Sequence, residues 1–308
     1  MSIKTALLVT RAYLPYGLVN NVLMRMYRMP FVQKVLFRRR FALLSMVSKE
    51  VASTCPPEQS MRRHLACNIL MPWRVAALSR CSDKVYEKWV RMSHVERYEE
   101  ACRSGRGVLL VSSHIGAGRM VTLALMRSGY TLTSLEPQHY LRKMGARGAE
   151  KVRVLNLLGK GQFWLKELIL AKDVIQNGGT LHWAVDGLQG TGGKMRTFHG
   201  RQRRFFDTFA TLAVSTGAVV LPVLATIDDH GVIDIGFGEP LATGAPSEDA
   251  KTRTEALMRQ YVAMLEAQWT RDPGNVVQRH LKSFPRWNKA AKGALSEADE
   301  PALAGNGV

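Results

Sequence analysis

The chain has 308 residues, 46% of them hydrophobic and 22% charged, enough apolar material for one large domain or a domain with appendages, and this excludes a disordered chain. Its formal charge of +18, from 43 Lys and Arg against 25 Asp and Glu, points to an anionic partner such as lipid headgroups, nucleic acid or an acidic carrier. Cys55, Cys67, Cys81 and Cys102 show no close C-x-x-C pairing and the eight histidines do not cluster, so reduced thiols in a cytosolic setting are expected and a metal site is not indicated.

Residues 1 to 50 mix apolar and basic side chains. Leu18, Val22, Met26 and Met29 recur at helical spacing, and Phe31 to Phe41 carries Lys34 and the run Arg38-Arg39-Arg40. Such a segment suits a membrane interface, apolar face down and cations among anionic headgroups; the alternative is an ordinary amphipathic helix packed on the domain. Residues 12 to 24 are uncharged but contain Pro15, Gly17, Asn20 and Asn21, too short a run for a span. No charged segment followed by an apolar core and a small-residue cleavage site opens the chain, so secretion is not expected.

Residues 57 to 103 read as helical throughout. Then Gly105 and Gly107 lead into Val108 to Val111, a short unbroken apolar run that reads as a strand buried on both faces. Ser112-Ser113-His114-Ile115-Gly116-Ala117-Gly118 follows at the strand exit, and Met120 to Met126 is compatible with a helix. A histidine on a strand-to-helix turn of an open α/β sheet sits where ligands are commonly bound. The small residues Ser113 and Gly116 beside it let a substrate come close.

Tyr130 to Leu135 is a second strand-like run, stopped at Glu136-Pro137. A glycine-broken basic segment over 140 to 172 passes into a helix ending at Asn177-Gly178-Gly179. Thr180 to Val185 reads as the third strand, finishing at Asp186. The glycine-rich loop 187 to 194 and the basic run around Arg201, Gln202, Arg203 and Arg204 read as an anion-holding region. It is not a nucleotide P-loop, because G-x-x-x-x-G-K-[ST] is absent. Residues 208 to 227 are long enough to span a membrane, but Gly217 and Pro222 break them, and they read as a helix, a glycine turn and a core strand. Val232 to Phe237 is a further strand and Glu255 to Trp269 a helix. His182 and His199 are expected to be structural, and the small polar stretch 289 to 308 to be a disordered tail.

The order of these parts resembles a known superfamily. A glycine-led strand into Ser-Ser-His, a later strand ending in Asp186-Gly187, Phe198-His199-Gly200 with basic residues, Thr211-Leu212-Ala213, and Thr216-Gly217-Ala218 running to Pro222 are similar to the lysophospholipid acyltransferase superfamily, most of all to the bacterial lipid A late acyltransferases (lauroyl and myristoyl transferases). The resemblance covers about residues 85 to 285. It implies a mixed α/β fold with a mostly parallel central sheet flanked by helices, divided as a helical, membrane-interface region over 1 to 84, an α/β acyltransferase-like domain over 85 to 288 and the tail over 289 to 308.

The resemblance also implies transfer of a fatty acyl group from acyl carrier protein or coenzyme A to a hydroxyl or amine of a lipid or small molecule, at the cytoplasmic face of the inner membrane, without a cofactor or metal. His114 is then the general base, and the amides around Gly116 to Gly118 are the expected donors to the oxyanion on the thioester carbonyl. Phe198, Gly200, Arg201 and Arg203 occupy the place of the family's second block and are implied in substrate contact. The family places Asp or Glu after the histidine with four residues between them, to orient it and stabilise the imidazolium. Here that position is Arg119. Three arrangements follow: another carboxylate, Asp186 first and Glu136 next, approaches His114; or His114 acts alone while Arg119 binds a substrate anion; or the chain is a non-catalytic lipid or carrier-binding homologue. No nucleic-acid motif is present, so charge alone argues for a nucleic-acid partner and none is expected.

Overall fold

In the computed structural model, which describes residues 15–135, 148–155, 165–187, 193–245 and 247–288, the Val108–Ser112 run has no exposed residue. An apolar segment without polar alternation needs cover on both faces, and the fold supplies it by placing this strand, β2, within a seven-stranded sheet. With β1 as Val90–Ser93, β3 as Leu132–Leu135, β4 as Val152–Leu155, β5 as Thr180–Ala184, β8 as Val219–Ile227 and β9 as Ile233–Phe237, the order is β1-β9-β8-β2-β5-β3-β4. β2 pairs in parallel with both neighbours, Val108 opposite Thr180 on β5 and opposite Val219 on β8. Among the described strands of this sheet, only the β8–β9 pair is antiparallel. This is the mixed, mostly parallel α/β sheet the sequence implied.

The order brings the ends of β2 and β5 side by side, and Val185 continues the ladder by donating its N–H to the Ser112 carbonyl at 3.0 Å. Leading into β8, the expected helix, glycine turn and strand are all present. Helix Thr208–Thr216 ends at Gly217, whose φ of +68° is the left-handed conformation that closes a helix at little cost to glycine, and β8 follows. Among the described residues no helix is long and apolar enough to cross a membrane. The helix expected over Glu255 to Trp269 spans Ala250–Arg271, opened by Asp249, whose side chain accepts from the N–H groups of Lys251 and Thr252.

Three elements differ from the sequence reading. Val90–Ser93, inside the stretch read as helical, is an edge strand paired in parallel with β9, Val90 opposite Ile233. At four residues it is too short for its own pattern to declare it, and pairing decides it. Val152–Leu155, within the basic segment, is the other edge, paired with β3. The supposed anion-holding run is a hairpin, β6 (Lys194–Phe198) against β7 (Arg201–Phe205), turned through His199 and Gly200, both at positive φ. Residues 136 to 147, 188 to 192 and 289 to 308, which include Glu136, most of the glycine-rich loop and the expected tail, lie outside the described residues.

Helices α1 (Tyr16–Arg28), α2 (Arg38–Glu50), α3 (Pro57–Asn68), α4 (Met71–Arg80) and α5 (Asp83–Trp89) precede the sheet, and their apolar faces join its core in one continuous cluster. α1 turns Tyr16, Asn20, Met24 and Tyr27 inward. The buried guanidinium of Arg74 holds that face, donating to Tyr16 Oη and Asn20 Oδ1, each at 2.6 Å. The opposite face keeps Leu18, Val22 and Met26 in solvent, and Met29, Phe31, Val35 and Leu36 continue it.

Candidate active site

Ser112 ends β2 buried, and the chain turns through Ser113 and His114 toward helix α7 (Arg119–Arg127), reached after helix α6 (Val95–Arg103) and β2. A strap from the C-terminal side fixes this turn. It consists of the short turn Pro273–Asn275, capped by Asp272, followed by Val276, Val277 and helix α11 (Gln278–Ser283), which comes after α8 (Leu165–Gln176), α9 (Thr208–Thr216) and α10 (Ala250–Arg271). Ile115 bridges Val276, the Val277 N–H donates to the His114 carbonyl at 3.3 Å, and the Gly116 N–H donates to the Asn275 carbonyl. Gly116 has φ +52°, and a Cβ there would collide with the Ala225 carbonyl, so the turn requires glycine.

These bonds change the expected role of the turn amides. The N–H of Gly116 is given to Asn275, that of Ala117 to the Ala225 carbonyl at 2.8 Å, and that of Gly118 to the Ile115 carbonyl at 3.1 Å. None of the three is directed at a substrate oxyanion, because the loop spends them on its own closure. The Ser113 hydroxyl, by contrast, is buried without a hydrogen-bond partner among the described residues.

Asp186, placed by β5, meets His114 at the sheet edge. Its Oδ1 accepts from the His114 backbone N–H at 2.8 Å and lies 2.7 Å from His114 Nδ1. The carboxylate is sealed, its side chain 2% exposed, while 34% of the His114 side chain reaches solvent. Burial alone would raise the pKa of Asp186, but the pull of His114, His280 and Arg203 outweighs it and holds the carboxyl well below the usual range. An ionised Asp186 fixes the His114 proton on Nδ1 and leaves Nε2 as a lone pair.

The other Asp186 oxygen faces two buried side chains. Arg203 Nη2 lies 3.7 Å from Oδ2 and donates to the Asp186 carbonyl at 2.9 Å. His280 Nδ1, from α11, lies 3.5 Å from Oδ2, and the His280 ring sits 5.2 Å from that of His114, centroid to centroid. His114, Asp186 and His280 present nitrogen and oxygen atoms within 4.8 Å of one another, the one group among the described residues with ligand types and spacing for a metal ion. His280 was invisible in the sequence, a lone histidine in a short basic helix with no motif around it.

The residues expected to touch substrate from the hairpin are held by ion pairs and ring packing. In β7 the pleat turns Arg201, Arg203 and Phe205 inward. Arg201 pairs with Glu50 and donates to the Trp287 carbonyl at 3.0 Å. Arg203 is enclosed by the rings of Phe198, Phe205 and Trp287, 4.5 to 5.2 Å from their centroids. Phe198 is fully buried, edge-on to Trp269, and Gly200 is an exposed turn residue. Arg203 therefore reaches the site from behind, through Asp186. Arg119 opens α7 and is exposed. His182 is a core residue, bonded to Ser112, Thr122 and Ser134 hydroxyls, and burial pushes its pKa down to about 4.

Residues 5–273 match the model of the bacterial lipid A biosynthesis acyltransferase family. The chain belongs to that family. Lipid A acyltransferase homologues move acyl groups in lipid biosynthesis, and this chain is accordingly an enzyme that transfers acyl groups to a lipid acceptor. Among solved structures it is similar to the crystal structure of the 1-acyl-sn-glycerophosphate (LPA) acyltransferase PlsC from Thermotoga maritima, at 15% identity and a TM-score of 0.36, over 81% of this chain and 98% of that one. No curated protein matches the sequence. Against the family's histidine-to-acid spacing, this acyltransferase carries Arg119, and the carboxylate in contact with His114 is that of Asp186.

Proposed function

We propose that this acyltransferase uses His114 as its general base, with Asp186 in place of the acid that Arg119 displaces. The observation that carries this reading is the 2.7 Å contact between His114 Nδ1 and Asp186 Oδ1 on a side chain that is 34% exposed. His114 Nε2 takes the proton of an acceptor hydroxyl or amine as its oxygen or nitrogen bonds to the thioester carbonyl carbon. The tetrahedral intermediate then expels the thiolate, the C–S bond breaks, and the imidazolium returns its proton to sulfur. Asp186 stabilises the imidazolium during the step; a positioned acid–base group of this kind contributes about 10²- to 10⁴-fold. Ser113, buried beside His114 and without a hydrogen-bond partner among the described residues, is the donor we assign to the oxyanion.

The acyl donor in this reading is acyl carrier protein or coenzyme A, anionic partners for a chain of charge +18, and Arg119 contacts an anionic group of the substrate. The site works at the cytoplasmic face of the inner membrane, on a lipid or small-molecule acceptor. Support comes from the outer face of α1 and the segment after it, where Leu18, Val22, Met26, Met29, Phe31, Val35 and Leu36 are 36% to 64% exposed, with Arg25, Arg28, Lys34, Arg38 and Arg39 exposed around them. Apolar side chains ringed by cations are the composition of a surface that lies in an anionic interface. Over residues 1 to 84 this is the membrane-interface region and over 85 to 288 the catalytic one. The test is incubation with lauroyl coenzyme A or lauroyl acyl carrier protein and extracted bacterial lipids, with products read by mass spectrometry. Wild type forms an acylated product and His114→Ala does not; product from both removes His114 from the chemistry.

A further inference from the structure

We infer that His64 is a positioning residue for His114, clamping through Gln278 the strap that holds the His114 turn. The inference rests on the reading of His114 as the base given above, and it starts from the way the His114 backbone is held. Its N–H donates to Asp186 Oδ1 at 2.8 Å, and its carbonyl accepts from the Val277 N–H at 3.3 Å. The next two residues are tied to the same strap, Ile115 in a bridge with Val276 and Gly116 through its N–H to the Asn275 carbonyl. The strap therefore sets where the His114 ring stands relative to Asp186, and the strap itself is fastened to helix α3 at both ends.

One end is Asp272, whose Oδ2 accepts from Arg63 Nη1 at 2.9 Å and whose Oδ1 accepts from Ser60 Oγ at 3.3 Å. The other is Gln278, which follows Val277 directly and opens α11, so that its N–H has no acceptor within that helix. Asn68 Oδ1 takes that N–H at 2.7 Å. The bond orients the Asn68 amide and turns its Nδ2 to His64 Nδ1, 3.1 Å away. An amide nitrogen of this kind only donates, so His64 Nδ1 accepts and the ring proton lies on Nε2, 2.8 Å from Gln278 Oε1. Asn68, His64 and Gln278 thus close a cycle of three bonds in which each residue gives one and takes one.

His64 is 1% exposed, and burial pushes its pKa down to about 4, so the ring is neutral and carries the single proton that the cycle uses. The cycle reaches the site through backbone, from Gln278 to Val277 and so to the His114 carbonyl. Opening it shifts the base without removing any group that binds substrate, an effect on kcat rather than on KM. The rest of the strap stays on the fold, because Arg63 still holds Asp272 and the Asn275 side chain spans the Ile227 N–H and carbonyl at 2.8 and 3.1 Å.

Two measurements test the assignment. On protein labelled with ring-¹⁵N histidine, ¹H–¹⁵N NMR reads the His114 Nδ1–H that faces Asp186 without any substrate, so it reports on the clamp even if His114 proves not to be the base. His64→Leu, which fills the space without donor or acceptor, should broaden or shift that signal, and His64→Gln, whose amide N–H replaces the Nε2–H, should restore it. With lauroyl coenzyme A as donor, the folded Leu variant should lose roughly 10- to 100-fold in kcat at unchanged KM, the size expected when a reacting group is misplaced by about 1 Å, with the Gln variant recovering most of it. Gln278→Ala removes the acceptor from a half-buried position and should give the same loss and the same change of signal, which carries the test if His64→Leu does not fold. An unchanged His114 signal in the Leu and Ala variants, equal losses for Leu and Gln, or a lower melting temperature with kcat intact each overturn the proposal.

Discussion

Replacing Asp186 with Asn keeps the volume and shape of the side chain and removes its charge, which separates the two tasks assigned to it. The first task is electrostatic support of the His114 imidazolium. In serine hydrolases the loss of the equivalent acid costs about 10⁴ in rate, because the neutral amide no longer selects the productive tautomer. The geometry here is of the same kind, a 2.7 Å contact to Nδ1 from a sealed carboxylate, so the expected loss in kcat is about 10³- to 10⁴-fold, or roughly 4 to 5.5 kcal/mol of transition-state stabilisation. The second task is to balance Arg203, which is 1% exposed and has Asp186 as its carboxylate neighbour at 3.7 Å. Leaving that cation uncompensated should cost stability as well, about 3 to 5 kcal/mol. Asp186→Asn is therefore expected to melt earlier than wild type and, at a temperature where it remains folded, to show the full kcat loss with KM for lauroyl coenzyme A little changed. The assay is release of free thiol on transfer, with circular dichroism on the same samples. A folded Asp186→Asn enzyme within tenfold of wild-type kcat would refute the reasoning.

The apolar face of α1 makes a separate prediction: Leu18→Asp, Val22→Asp and Met26→Asp together should abolish co-sedimentation with anionic vesicles, because each exposed side chain contributes on the order of 1.5 kcal/mol or more when buried. The melting temperature should scarcely move, since Leu18, Val22 and Met26 are exposed among the described residues; unchanged vesicle binding would argue for a different membrane contact. Acid stability follows from three buried histidines, His64, His182 and His280, whose pKa values burial pushes down to about 4, 4 and 3. Their folded pKa values lie below the unfolded value of 6.5, so the unfolded chain binds more protons between those limits. Stability contributed by these neutral rings is present above pH 6.5 and is lost as pH falls toward 4, at roughly 4 kcal/mol per pH unit for the three together. Denaturant titrations between pH 7 and 5 should show this slope, and a flat stability over that range would contradict it. Arg119→Glu restores the family's acid at its usual position, yet Asp186 already holds Nδ1, so kcat should not rise, while the donor KM should rise several-fold. A large gain in kcat would return the orienting role to that position.

The parts of this fold that could be read from sequence are those whose side chains face apolar surroundings. Val108 to Val111, Thr180 to Val185 and Val232 to Phe237 announce themselves because buried strands need unbroken or alternating apolar residues, and Gly217 marks the helix-to-strand turn because few other residues take φ +68° there. The His114–Asp186 contact was legible as a first choice of acid because Asp186 closes a strand, and β2 and β5 are neighbours in the sheet. The hairpin was not legible. Its inward positions are Arg201 and Arg203, and a strand whose buried face is arginine looks like a solvated basic loop until Glu50, Asp186 and the surrounding aromatic rings are in place. β1 and β4, four residues each at the sheet edges, owe their conformation to their partners. His280 has no local signal at all, since its meaning depends on a strap that returns from the far end of the chain to close over the His114 turn.

In the proposed mechanism His114 and Asp186 act as one unit, and a double-mutant cycle on single-turnover acyl transfer measures that directly. If the two are a unit, His114→Ala combined with Asp186→Ala is no slower than His114→Ala alone, because an orienting carboxylate has nothing left to orient. Losses that multiply in the double variant would mean that the two residues act independently and that the base is not held by Asp186.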